Sequence, residues 1–284
     1  MADPIAETFD HFVVPVDDLV AAEDFYSRVF DGEIVGRNGL NVQQRKRGAV
    51  PHTFIRIAEK RIGVYLQSEE RPAPAGARGS PTYSFETAEP GFQATLDELA
   101  TEGVSYDGPV DVPSPLPRKS VFFTDPAGNY FDVYVPAESG HEERRQAGTG
   151  RMAAVGYLNL EAPALQASVR FYERALGFEV VGFGEDGREE ACEATLRLPG
   201  GQVLTLTEGP AAPKGLVMSR TVPGPHIGFY VPAARWEAAL AHLDALGIPH
   251  GDRGAAKVRR PGEGGTYMDD PAGNVIQLIT DGME

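Results

Sequence analysis

The sequence is poor in cysteine, in positive charge and in long apolar runs. Its one cysteine, Cys192, excludes an intrachain disulfide and suits a reducing compartment. Lys and Arg number 26 against 41 Asp and Glu, and the net charge of −15 makes nucleic acid and anionic membranes poor partners. No apolar run approaches the roughly 20 residues of a membrane span. The first residues also lack the basic and apolar segments of a signal peptide, so we expect a cytoplasmic protein.

The chain repeats itself at a nearly constant interval. The pentapeptide Asp-Pro-Ala-Gly-Asn, for example, occurs twice, letter for letter. A constant offset over the whole chain indicates a duplicated domain, and its period is too long for a solenoid, whose repeats span roughly 20–50 residues. Three pairs of segments carry the repeat, at offsets of 145, 146 and 144 residues: 125–129 with 270–274, 25–26 (Phe-Tyr) with 171–172, and 92–103 with 236–247.

Each copy has the size of an ordinary domain. We predict a first domain over residues 5–137, a polar linker over 138–151 and a second domain over 152–281. Within a copy, short apolar runs and one segment of helical spacing predict the order strand-helix-strand-strand-strand, used twice. The pentapeptide lies before the last strand and is predicted to be a turn, because Pro fixes one dihedral while Gly and Asn tolerate positive φ.

This order of elements, the Phe-Tyr pair on the first helix and the Asp-Pro-x-Gly-Asn turn resemble the vicinal oxygen chelate superfamily. That group contains glyoxalase I, bleomycin-resistance proteins, fosfomycin-resistance enzymes and extradiol dioxygenases. The resemblance implies an α+β fold of two tandem domains, each with two βαβββ units that form a cupped mixed sheet. It also implies a divalent metal ion (Fe, Mn, Zn or Ni), held by His, Gln or Glu side chains on the first, fourth, fifth and eighth strands of a domain.

Carried onto the first copy, the resemblance places His11 on the first strand and Asp132, in place of the usual Glu, on the eighth. The fourth-strand place falls on Tyr65, with Gln67 on the same face, and the fifth on Thr82. His11, Asp132 and Gln67 are therefore the predicted metal ligands of a first cup. The alternative is that His11 and Asp132 form a hydrogen-bonded polar pair without any metal.

The second copy offers a weaker donor set. Its equivalent places hold Tyr157, Thr205, His226 and Gln277, and the resemblance makes Tyr157, His226 and Gln277 the ligands of a second cup. This set lacks a carboxylate, which metals of this class favour, so the first cup is the better candidate. The predicted substrate-binding residues are Tyr65, Thr82, Arg118 and Thr205, with Arg118 in a loop at the rim of the first cup.

Two functions from different classes remain open. The first is a metal-dependent lyase or dioxygenase that acts on a small oxygen-bearing molecule in the first cup. The second is a metal-free protein of the bleomycin-resistance type that sequesters a small apolar or aromatic molecule, supported by Tyr65, Tyr83, Phe85 and Tyr157 near the cup. In both cases the expected partner is a small molecule, and a second copy of the chain is a further candidate, as a homodimer.

Overall fold

The computed structural model describes most of the chain. Residues 138–150 of the predicted linker lie outside the described residues. Among the described residues, no helix is long and apolar enough to cross a membrane. The described ranges are residues 5–46, 50–58, 60–67, 74, 76–113, 116–137, 151–184, 192–209, 225–251 and 265–281.

The first copy folds into the predicted order of strands and helices, with one further short helix at Val42–Lys46 that the sequence did not predict. Its first helix begins where the Asp18 carboxylate accepts hydrogen bonds from the N–H groups of Val20 and Ala21, at 2.8 and 3.2 Å. The helices are α1 (Leu19–Phe30), α2 (Val42–Lys46) and α3 (Glu89–Thr101). The strands are β1 (Thr8–Val16), β2 (Glu33–Asn38), β3 (His52–Ile57), β4 (Lys60–Leu66), β5 (Thr82–Thr87), β6 (Tyr106–Val112), β7 (Arg118–Thr124) and β8 (Tyr130–Pro136).

The second copy repeats this order over its described residues. Its first helix, α4 (Leu165–Phe171), continues into a π-helical turn (Tyr172–Leu176), and its second, α5 (Trp236–Ala245), follows a 3₁₀ turn (Ala233–Arg235). The strands are β9 (Met152–Glu161), β10 (Glu179–Phe183), β11 (Glu193–Arg197), β12 (Val203–Thr207), β13 (His226–Tyr230), β14 (Thr266–Asp269) and β15 (Val275–Ile279).

The strands form two mixed sheets, which confirms the predicted α+β class. The seven-stranded sheet has the order β14-β15-β13-β1-β4-β3-β2, and the eight-stranded sheet has the order β10-β11-β12-β9-β5-β8-β7-β6. Each sheet therefore contains strands from both copies. The sequence repeat shows which strands of the two copies are equivalent. It does not show which strands pair, because a strand can pair equally well with its own copy's strand or with the equivalent strand of the other copy. This strand order decides which of the predicted ligand places can meet.

Contacts divide the chain into two compact units. One contains the described residues within 14–38 and 51–159, and in it β5 pairs antiparallel with β9 and parallel with β8. The other contains those within 1–13, 39–50 and 160–284, and in it the start of β1 pairs antiparallel with β13, which pairs parallel with β15. The domain boundaries at residues 137 and 152 stay a prediction.

The repeated turn and the repeated Phe-Tyr pair are joined by a hydrogen bond. In the first copy, Oδ1 of the buried Asp125 carboxylate accepts from the N–H groups of Ala127 and Asn129, at 3.0 and 2.8 Å. Its Oδ2 accepts from the Asn129 amide at 2.7 Å and from the Tyr26 hydroxyl of α1 at 3.0 Å. One carboxylate thus holds the turn closed and ties it to the helix.

The second copy repeats this arrangement. Asp270 accepts from the N–H groups of Ala272 and Asn274 at 2.9 and 2.8 Å, from the Asn274 amide at 2.9 Å, and from the Tyr172 hydroxyl at 2.8 Å. Burial, with the negative charge of Asp270 beside it, raises the pKa of Tyr172 well above its ordinary value. The phenol therefore keeps its proton and remains a donor.

The core of the unit that contains β5 and β8 is aromatic. The rings of Phe85 and Tyr83 lie 6.3 and 6.0 Å from Phe131, and Phe30 of α1 lies 5.0 Å from Phe85. All four side chains are buried. Tyr83 and Phe85 therefore pack in the hydrophobic core, so they no longer support the prediction of an aromatic binding cup.

We predict that Asp270→Ala destabilises the protein by about 3 kcal/mol or more, because it leaves a buried phenol and two backbone N–H groups without their acceptor. Tyr172→Phe removes one of these bonds and is expected to cost about 1 kcal/mol. Urea unfolding measures both values. An Asp270→Ala protein as stable as Tyr172→Phe would show that the carboxylate is not the central acceptor of the turn.

Candidate functional site

The seven-stranded sheet brings four polar side chains into one cluster. The strand pairs place His11 opposite Gly228, Gly228 opposite Gln277, and Gln277 opposite Tyr267. Paired residues on neighbouring strands point to the same face, and His226 shares that face because it lies two residues before Gly228. The four side chains are between 3% and 8% exposed. We call His11, His226, Tyr267 and Gln277 the imidazole cluster.

The two imidazoles of this cluster face each other. Nε2 of His11 lies 3.2 Å from Nε2 of His226, although 215 residues separate them in the sequence. Their rings are perpendicular, with centroids 5.2 Å apart, and the Tyr267 ring lies 5.5 Å from His226. A Cβ atom on Gly228 would come within 2.4 Å of the His11 ring, so only glycine leaves room for that ring above β13. Because the ring lies over Gly228, it leans toward the strand that carries Gln277.

Asp10 determines which nitrogen of His11 carries the proton. Its Oδ2 lies 2.6 Å from Nδ1 of His11, so the carboxylate accepts the Nδ1–H bond and leaves a lone pair on Nε2. A carboxylate in this position behind a histidine orients the ring and raises the basicity of the ligating nitrogen. In the protein without a metal ion, one proton lies between the two Nε2 atoms in a hydrogen bond. A metal ion between the two nitrogens would replace that proton.

The donors of the imidazole cluster fit a metal ion, though with an unusual set. The two Nε2 atoms are close enough, at 3.2 Å, to be ligands of one ion. Gln277 adds an amide oxygen on the same face. Within the described ranges, no group of three His, Cys, Asp or Glu side chains could hold a metal ion. The fit is therefore to two imidazoles and a neutral amide.

The strand order corrects the predicted grouping of ligands. His11 shares its sheet with His226 and Gln277, whereas Asp132 lies on β8 of the eight-stranded sheet with Tyr157 on β9. The predicted ligand sets of the first cup (His11, Asp132, Gln67) and of the second cup (Tyr157, His226, Gln277) are therefore wrong. Each set combines residues that lie in different sheets. The error came from the assumption that the two units of one copy share a sheet.

The eight-stranded sheet carries the duplicate of the imidazole cluster. Its row of paired residues is Tyr157, Ser84, Asp132 and Phe122, which are the repeat equivalents of His11, Gly228, Gln277 and Tyr267. Thr82 is the equivalent of His226. Both imidazoles are therefore missing from this row, and a carboxylate stands where the other sheet has an amide.

A buried arginine occupies this second row. The Arg118 guanidinium donates from Nε to Oδ2 of Asp132 at 3.1 Å and from Nη1 to the Leu116 carbonyl at 3.0 Å, and it lies 4.8 Å from the Tyr157 ring. The side chains of Arg118 and Asp132 are 3% and 0% exposed. The predicted place of Arg118 in a rim loop is therefore wrong, because the residue begins β7 and faces the row. The Arg118 guanidinium therefore places a positive charge in this second row.

Burial raises the pKa of the Asp132 carboxyl, and the positive charge of Arg118, with hydrogen bonds from Ser120, Arg118 and Ser84, partly offsets the shift. The Ser84 hydroxyl lies 3.5 Å from Oδ2. Arg118 already compensates the charge of this carboxylate, although within the described part of the chain Asp132 Oδ1 is buried without a hydrogen-bond partner. The eight-stranded sheet is therefore the poorer metal candidate of the two.

The other predicted site residues have local partners. The Gln67 amide donates to Asp17, and the Thr82 hydroxyl donates to the Gly79 carbonyl. Tyr65 is half-buried opposite His52 on β3, and Thr205 is buried opposite Thr195 on β11. Their proposed roles as ligand or substrate contacts stay predictions.

Sequence reasoning missed three residues of the imidazole cluster or its support: Asp10, Gly228 and Tyr267. The adjacent Asp10-His11 pair was a usable signal, because a carboxylate that orients an imidazole often lies close to it. Gly228 and Tyr267 gave no signal before the strand pairing was known.

Comparison with known proteins agrees with this fold. The family model described as Glyoxalase/Bleomycin resistance protein/Dioxygenase superfamily matches residues 8–133 and 154–278. A search of curated proteins found no significant match.

Among solved structures, a "putative dioxygenase" from Bacillus subtilis superposes with a TM-score of 0.70 at 15% identity, over 98% of this chain and 86% of that one. Glyoxalase I from Zea mays gives a TM-score of 0.57 at 15% identity, over 97% and 92%. A point mutant of that maize enzyme gives 0.61 at 14% identity, over the same shares. At such identities the likeness shows a shared fold.

We predict that Arg118→Met destabilises the protein by about 3–5 kcal/mol, because it leaves Asp132 buried without its cation. The double variant Arg118→Met/Asp132→Leu removes both charges and is expected to recover most of that loss. Urea unfolding of both variants beside wild type measures the difference. A single variant within about 1 kcal/mol of wild type would contradict a buried ion pair.

The stability of Arg118→Met should also depend on pH. Burial already holds the pKa of Asp132 above its ordinary value of about 4, and the loss of Arg118 removes an opposing effect. Below pH 4 the carboxyl is protonated in both folded and unfolded chains, so the full stability is present. It is then lost as pH rises through the folded-state pKa. The deficit relative to wild type should therefore be larger at neutral pH than near pH 4, and a deficit independent of pH would contradict this cause.

Proposed function

Because the chain belongs to the Glyoxalase/Bleomycin resistance protein/Dioxygenase superfamily, we propose that it is a divalent-metal-dependent enzyme acting on a small molecule with neighbouring oxygen atoms. The site is the imidazole cluster of the seven-stranded sheet. The reaction class is that of a lyase or a dioxygenase. Fe, Mn, Zn and Ni all accept the nitrogen and oxygen donors that the cluster offers.

One observation carries the proposal: two buried imidazole nitrogens face each other at 3.2 Å. Here the contact joins two histidines from different copies, each on the first strand of its unit, and the Gln277 side chain points to the same face. This convergence supports ligation of a shared ion.

The other residues of the cluster would prepare the site. Asp10 keeps the proton on Nδ1 of His11, so Nε2 presents its lone pair without a change of tautomer. Tyr267 places a phenol beside His226, where it could donate a hydrogen bond to a substrate oxygen. When bound, the metal ion would act as a Lewis acid on the oxygens of the substrate. The burial of all four side chains limits the access of water.

Cobalt binding tests the proposal, because the visible absorption of Co²⁺ depends on its ligands and coordination geometry and therefore changes when the ion moves from water to a protein site. We expect wild type to bind about one Co²⁺ per chain at equilibrium. His11→Ala and His226→Ala should each weaken binding at least about tenfold, since each removes a direct ligand of the ion. The double variant Arg118→Met/Asp132→Leu, in the equivalent row of the other sheet, removes both charges of the buried pair; it is the matched control and should bind as wild type does.

Three results would count against the proposal. Wild type could fail to bind Co²⁺ even in large excess. The histidine variants could bind as tightly as wild type. The folded double variant Arg118→Met/Asp132→Leu could lose the ion, which would instead support the ligand grouping predicted from the sequence.

A second candidate function is metal-free binding of a small molecule. It is favoured by the hydrogen bonds of the imidazole pair, since Asp10, His11 and His226 satisfy one another without an ion. This function predicts that a bound small molecule stays bound after dialysis against a chelator. Release of the ligand by the chelator would exclude it.

A further inference from the structure

The buried ion pair of the eight-stranded sheet leaves one acceptor and one donor unused. Among the described residues, none donates a hydrogen bond to the buried Oδ1 of Asp132, while its Oδ2 accepts from Nε of Arg118 at 3.1 Å. Nε and Nη1 of Arg118 have acceptors, whereas Nη2 has none among the same residues. A buried carboxylate oxygen without a donor is unfavourable, so a further group is expected beside this pair.

Two aromatic rings hold the guanidinium of this pair in place. Its Cζ atom lies 4.8 Å from the centre of the Tyr157 ring and 5.7 Å from the centre of the Tyr134 ring. The Asp132 carboxylate fixes it from a third side. Because the guanidinium is already ordered, a ligand that binds to it does not have to immobilise a long side chain.

Arg118 also lines a cavity of about 550 Å³. Small-molecule sites commonly measure roughly 300–1,000 Å³, so this volume is sufficient for a small ligand. Arg118 lies between Val112 and Pro136 in the strand pairing, at one end of the sheet. Most of the cavity lining is apolar and consists of Val112, Pro113, Pro117, Val135, Pro136 and Ala137. The apolar lining favours a ligand with an apolar body.

Both cations of the cavity lining are already paired with carboxylates. Lys119 forms an ion pair with Glu89, and Arg118 forms one with Asp132. Asp111 also lines the cavity, but it is exposed, so water screens its charge. An ion that entered beside Arg118 would lose its hydration without meeting an uncompensated opposite charge, and this is unfavourable. A neutral molecule avoids that cost.

We propose that the Arg118–Asp132 pair is the polar end of a second, metal-free binding site, whose ligand is a small neutral molecule with an apolar body and a carboxamide end. The amide N–H donates to Oδ1 of Asp132, and the amide oxygen accepts from Nη2 of Arg118. The apolar body occupies the cavity beside Arg118. The site uses no residue of the imidazole cluster, so it does not depend on the proposed metal site.

Three probes of nearly the same shape test the charge of the ligand: neutral benzamide, anionic benzoate and cationic benzamidinium. Each is titrated into wild type in the presence of a chelator, and NMR of the probe reports binding. We expect benzamide to bind in roughly the millimolar range, as suits so small a probe. It should bind at least about tenfold more tightly than either ion, since each ion buries a charge that nothing compensates.

Two results of this comparison would overturn the proposal. Benzoate or benzamidinium could bind as tightly as benzamide, which would show that the site does not select a neutral molecule. None of the three probes could show saturable binding, which would favour a buried water molecule as the partner of Oδ1. This comparison uses wild type alone, so it does not depend on the folding of any variant.

Two variants then locate the bound amide. Arg118→Met/Asp132→Leu removes the charged donor and acceptor together and should weaken benzamide binding at least about tenfold. His11→Ala should leave benzamide binding unchanged. Benzamide binding that the folded double variant retains, or that His11→Ala loses, would place the amide elsewhere and overturn the proposal. Co²⁺ binding is measured on the same proteins, so failure of this site and failure of the metal site are distinguishable.

Discussion

The buried carboxylate of each Asp-Pro-Ala-Gly-Asn turn is the interaction on which the rest of the fold depends. Asp125 and Asp270 each close a turn and receive a hydroxyl hydrogen bond from the first helix of their copy. The turn sets where the last strand begins, and the third residue after its Asn is Asp132 in one copy and Gln277 in the other. The motif that marks the repeat thus also positions a site residue in each copy.

The second constraint is the pairing of strands from different copies. The first strand of the chain lies beside β13, and that pairing brings two histidines 215 residues apart to within 3.2 Å. The equivalent pairing of β5 with β9 produces a row with the same geometry but different chemistry. One row carries imidazoles, an amide and a phenol, and the other carries an arginine–aspartate pair. Duplication has therefore left one site suited to a metal ion and one that carries its own cation.

The sequence specifies the local structure well and the neighbours of each strand poorly. The order of strands and helices and the repeated turn follow from patterns within a few residues, and the structure confirms them. The family resemblance also selected His11, His226 and Gln277, which the structure places in one sheet, but it assigned them to two different ligand sets. Strand pairing joins residues that are far apart in the sequence, and the equivalent strands of the two copies offer similar edges. No local sequence pattern therefore determines which strands pair.

The burial of a charged residue was the other feature that could not be predicted from the sequence. Arg118 stands between a proline and a lysine, a context typical of an exposed loop, and only the tertiary partner Asp132 makes its burial tolerable. Tyr83 and Phe85 were assigned to a binding cup for a similar reason. Alternation along a strand shows that two faces exist, but it does not show which face meets the helices.

X-ray absorption spectroscopy of the Co²⁺-loaded protein tests the central claim most directly, because imidazole rings give a characteristic outer-shell scattering pattern. The account predicts direct ligation by nitrogen and oxygen, with outer-shell scattering from two imidazoles that falls to one in His226→Ala. A spectrum without imidazole scattering, or one unchanged by that substitution, would show that the facing histidines are a structural pair and not a metal site.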